Sequence, residues 1–99
     1  MSPLVTGRIR LVTGFPREEP KANMIKEHER VVLRTAVPAS GLEAGDVGTV
    51  VHVYGDGLAY EVEFTTLAGK TAAVVTVEAA QVRPVGNREI THAREMASA

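Results

Sequence analysis

The chain has no cysteine and no tryptophan, and only two tyrosines and two phenylalanines among its 99 residues. Each absence excludes something. Without cysteine there are no disulfides and no thiolate metal sites, so a reducing compartment is compatible with the sequence. No run approaches the ~20 apolar residues that a membrane-spanning helix needs. The opening stretch, MSPLVTGRIRLVTGFP, is broken by Arg8, Arg10 and two glycines, where a secretory leader keeps an uninterrupted apolar block. No membrane partner is expected, and cytoplasmic residence is.

Catalytic constellations are missing too. The only serines are Ser2, Ser40 and Ser98, and none sits in a G-x-S-x-G turn. Gly69-Lys70-Thr71 ends like a phosphate-binding loop, but that loop needs a glycine where Phe64 stands and a helix where a strand follows. His28, His52 and His92 share no ligand spacing. No enzyme activity, cofactor or metal is expected, and no residue is assigned a catalytic role.

Charge is unevenly placed. Residues 1–34 carry seven Lys/Arg against four Asp/Glu, whereas residues 35–85 carry two against six. A basic flank therefore precedes an acidic domain. Residues 1–23 read as an N-terminal extension or linker, with a short strand possible around Leu4-Val5 and Ile9–Val12 between glycines and prolines. Met24 opens the domain, which is expected to span residues 24–85. Residues 86–99 form a C-terminal tail, with a weak helical pattern over Glu89–Ala97.

Within the domain the pattern is β throughout. Arg30–Arg34 is a Val-rich first strand, followed by a loop from Val37 to Asp46 whose proline and glycines exclude a long helix. Val47–Tyr54, with four valines, is a second strand. Gly55-Asp56-Gly57 supplies the Asp-Gly signal of a tight hairpin. Ala59–Thr65 alternates cleanly: Tyr60, Val62 and Phe64 point one way, Glu61 and Glu63 the other. Val50 or Val51, and Val75 or Val77, are expected against the first set. Leu67–Lys70 is a second turn, Thr71–Val77 a fourth strand, Glu78–Gln81 a single 3₁₀ turn, and Val82–Val85 a short last strand whose Pro84 belongs at an edge. Five strands in this order predict an all-β fold, a small five-stranded SH3-like barrel with flanking N- and C-terminal extensions; the pattern alone also allows an open curled sheet.

The series Met24–Leu33, Gly41–Val51, Ala59–Phe64 and Gln81–Pro84 resembles a bacterial family known as a domain of unknown function, number four-nine-two-six. The resemblance covers residues 24–85. It implies an SH3-like fold and no catalytic residue, and some of its members lie beside toxin-like genes. A looser similarity, carried by Gly45-Asp46-Val47-Gly48-Thr49-Val50-Val51, is to KOW-type modules of ribosomal and transcription proteins.

From these features a protein partner is expected. An acidic inhibitor presents carboxylates to a basic target, and Asp46, Asp56, Glu61 and Glu63, with Tyr54 near the turn, are the candidate partner-binding residues. The concrete version is an antitoxin-like or immunity-like protein. The alternative is a KOW-like nucleic-acid-binding protein. It is disfavoured by five Lys/Arg against eight Asp/Glu in residues 24–85, a net charge of −3 that repels phosphate unless Lys26, Arg30 and Arg34 cluster with Arg8 and Arg10. A domain of ~60 residues buries only ~60% of its unfolded surface, so a homodimer that covers open strand edges is also expected.

Overall fold

The computed structural model describes residues 25–96. The strand expected around Leu4–Val12 lies outside the described residues. The described chain forms β1 (Arg30–Leu33), a 3₁₀ turn at Pro38–Ser40, β2 (Val47–Tyr54), β3 (Ala59–Thr65), β4 (Thr71–Glu78), a 3₁₀ turn at Ala79–Gln81 and β5 (Val82–Pro84). All pairings are antiparallel, in the order β4-β3-β2-β1-β5. The fold is all-β, as the alternation implied. It is one open sheet, because β4 and β5 stand at opposite edges and do not pair. β5 is three residues long and ends in Pro84, which has no N–H to add to a ladder.

The core lies on one face. Tyr60, Val62 and Phe64 are buried, Val50 is opposite Val62, and Val77 is opposite Tyr60. Val31, Leu33, Leu42 and Val82 complete the cluster from the flanking elements. Val50, and not Val51, faces inward because β2 carries a bulge. Val50 pairs with Val62 and His52 with Glu61, which leaves Val51 as the extra, exposed residue. The bulge also turns His52 and Tyr54 to the outer face, with Val53 inward opposite Tyr60.

Two glycines position the start of β2. Gly45 holds φ 97°, a region side chains avoid, while its N–H bonds the Leu33 carbonyl at 2.8 Å. Gly48 is needed for space. A Cβ there lies 2.6 Å from Val62 Cγ1, 2.8 Å from Phe64 Cε2 and 2.9 Å from the Glu63 carbonyl oxygen. The turn between β2 and β3 puts Asp56 at φ 58°, and the Gly57 and Leu58 N–H groups both bond the Tyr54 carbonyl.

The tail departs from expectation. No helix forms over the described part of Glu89–Ala97. Side-chain bonds to the domain hold the segment in another path. Arg83 grips Glu89 with both terminal nitrogens, at 2.9 and 2.6 Å. Arg94 reaches back to the loop before β2, and Met96 packs against the core. These contacts oppose a short helix, which is marginal on its own.

Candidate functional site

The outer face of β2, β3 and β4 gathers most of the residues that carry chemistry. Successive strand residues point to opposite faces, so the burial of Tyr60, Val62 and Phe64 forces Glu61 and Glu63 outward. The register then sets their neighbours. Glu61 lies between His52 on β2 and Thr76 on β4, and Glu63 lies between Thr49 and Val74.

Glu61 Oε1 accepts two hydroxyls, from Thr76 at 2.7 Å and from Tyr54 at 3.0 Å. The Thr76 and Tyr54 bonds, followed by the nearby His52 imidazole, outweigh slight desolvation and lower the Glu61 pKa below the usual carboxylate value. The same contact with Glu61 raises the Tyr54 phenol. Glu63 Oε2 accepts the Thr71 hydroxyl at 2.6 Å. The His52 ring stands edge-on to Tyr54, with centroids 4.5 Å apart, and its Nδ1 lies 3.8 Å from Glu27 Oε2. Val51 and Val74 add exposed apolar surface, at 40% and 49%. The result is a fixed acidic platform with an aromatic ring and apolar flanks.

Tyr54, Glu61 and Glu63 are thus brought together, while the other two candidates lie elsewhere. Asp56 sits at the hairpin tip, where it lines an open cleft of about 490 Å³ with Ile25, Lys26, Glu27, Val53 and Tyr60. Asp46 is at the loop before β2 and already holds a cation. Arg94 donates Nε to its Oδ1 at 2.9 Å and Nη2 to its Oδ2 at 2.5 Å. The same Nη2 bonds the Gly41 carbonyl, and the Glu43 N–H bonds Asp46 Oδ2 at 2.8 Å. Partial burial pushes the Asp46 carboxyl up, but the Arg94 fork and the Glu43 N–H prevail and hold its pKa below the usual value.

Residues 27–84 match the family described as Domain of unknown function (DUF4926). The chain belongs to that family. Neither a curated protein nor a solved structure matches it. The family match stops at residue 84, so Arg94, which fastens the tail onto Asp46, lies beyond the segment that DUF4926 defines.

Among the described residues, no three His, Asp or Glu side chains converge as metal ligands. Likewise, no helix among them is long and apolar enough to cross a membrane. Sequence reasoning missed Thr71, Thr76 and His52 as neighbours of the two glutamates. The hairpin register assigns His52 and Thr76 to Glu61 once the two turns are fixed, whereas Thr71 pairs with Thr65 and reaches Glu63 only through the bulge at Ala72. Arg94 left no such signal, because 48 residues separate it from Asp46.

Proposed function

We propose that this DUF4926 protein is a non-catalytic, SH3-like module that binds a protein through the outer face of β2–β4. A basic partner suits it best, in the manner of an antitoxin-like or immunity-like protein that covers a toxic enzyme. The supporting observation is the platform of Glu61 and Glu63. Two exposed carboxylates are steadied by hydroxyls of Thr76, Tyr54 and Thr71 on an open sheet face, beside exposed Val51 and Val74. Fixed carboxylates lose little entropy on meeting Lys or Arg, and the surrounding apolar area supplies desolvation. An open sheet face gives no water-excluded pocket for catalysis. The strand order and the 3₁₀ turn before β5 support the SH3-like reading of the fold. Cytoplasmic residence fits the absence of cysteine.

KOW-like nucleic-acid binding is the alternative. Among the cations it would use, Arg34 already donates Nε to the Val82 carbonyl at 3.3 Å. The test is a titration of fluorescent RNA and DNA against wild type and the Glu61→Gln/Glu63→Gln pair at ~50 mM salt, where phosphate binding is strong. The protein-binding reading expects no micromolar affinity from either protein. It also expects a co-purifying partner to be retained less by the pair and less as salt rises. Micromolar binding by wild type that tightens in the pair overturns it.

A further inference from the structure

The two edges of the sheet are treated very differently. β5 is short, contains Arg83 and ends in Pro84, the devices by which sheet edges are protected from pairing. β4 has no proline, and its one charge, Glu78, and its one bulge, at Ala72, lie at its two ends. It runs for eight residues, Thr-Ala-Ala-Val-Val-Thr-Val-Glu. Its only strand partner among the described residues is β3. Valine and threonine favour strands, and a long, uncharged edge of this kind templates another strand.

We infer that β4 pairs antiparallel with β4 of a second copy of this chain, joining two sheets across a two-fold axis. The sequence of β4 suits its own copy. Residues opposite one another in an antiparallel pair share a face, so inward residues must meet inward residues. Ala73, Val75 and Val77 face inward, while Val74, Thr76 and Glu78 face outward, as their partners on β3 dictate. An axis at Val75 satisfies both sets. Val75 then meets Val75, Ala73 meets Val77, and Val74 meets Thr76, so the half-exposed valines of both copies are covered. Charge agrees with this register. Each Glu78 falls opposite the bulged Ala72 at an outer end of the new ladder, and no carboxylates oppose each other within it. A foreign strand has no such built-in match, which is why a second copy is the chosen occupant. The pairing covers Val74, which also flanks the outer face proposed to bind a partner, so it is tested by oligomeric state and not by partner binding.

The full chain is the object of the test. Light scattering in the high micromolar range should give twice the 10.6 kDa chain mass. Val74→Lys, at an exposed position opposite Glu63, should give a monomer that still melts cooperatively, at a lower temperature than the dimeric wild type because the coupling to a second copy is lost. The chain has no native cysteine, so cross-linking is unambiguous. Facing residues on antiparallel strands have Cα atoms within disulfide reach. Val75→Cys should therefore form a covalent dimer on mild oxidation, and Thr76→Cys should not. A monomeric wild type, a Val74→Lys protein that stays dimeric, or cross-linking at Thr76→Cys in place of Val75→Cys each overturns the proposal. So does a chain that dimerises only after residues 1–23 are removed, since that segment would then be what covers β4.

Discussion

Strand β3 presents two faces with opposite physics. Inward, Tyr60, Val62 and Phe64 are almost fully buried and hold the domain together. Outward, Glu61 and Glu63 carry charge and are steadied only by hydroxyls from neighbouring strands. The same seven residues therefore separate the face that holds the fold from the face proposed to bind a partner. Inner-face changes should alter whether the chain folds, whereas outer-face changes should alter what it meets. A module with this division can vary its outer residues without refolding its core, because exposed charges contribute little to stability.

The largest expected break is Phe64→Ala. The ring is 3% exposed and lies against Gly48, so its loss opens a cavity at the centre of the core. A cost of about 3–5 kcal/mol follows, enough to unfold a domain this small. Denaturant melts measure it. A loss under about 1 kcal/mol would mean that the ring is peripheral and the inner face misassigned. Gly48→Ala comes next. The added methyl collides with Val62, Phe64 and a carbonyl, and two of those atoms belong to the core itself. Overpacking of this kind costs about 1–3 kcal/mol. The effect should appear as a lower melting temperature at unchanged outer-face chemistry.

How much of this was legible follows the same division. The inner face could be read directly, because Ala59–Thr65 alternates without exception and an Asp-Gly turn fixes where it starts. Strand β2 was harder. Four valines in Val47–Tyr54 satisfy either face, and only the bulge at Val51 decides that Val50 is the inward residue. The openness of the sheet was not legible, since five strands and a 3₁₀ turn suit a closed or an open arrangement equally. In the tail, the helix-forming residues of Glu89–Ala97 predict a weak helix. The tail's path depends instead on Arg83, Asp46 and the Gly41 carbonyl, contacts up to 53 residues away that no local pattern encodes.

The smallest expected effect sharpens the comparison by pH. Glu61 is a carboxylate whose folded pKa is depressed, chiefly by the Thr76 hydroxyl and then by Tyr54. A depressed carboxylate stabilises the fold fully above its unfolded value. That contribution is lost as pH falls through the folded one. Glu89 behaves alike, held at about 2 first by Arg83 and then by the Gly86 N–H. Both groups are exposed, so water screens them and their contributions are slight beside the core. The melting temperature should therefore decline gently from the usual glutamate value near 4.5 down towards 2. Glu61→Gln should make that decline shallower without moving the neutral-pH melt, because an amide oxygen still accepts from Thr76 and Tyr54 but no longer titrates. Gly48→Ala, by contrast, should lower the whole curve without changing its slope, since its added methyl meets Val62 and Phe64, which bind and release no proton. A steep acid transition that Glu61→Gln abolishes would place the glutamate among the groups that hold the fold, and the separation of the two faces would fail.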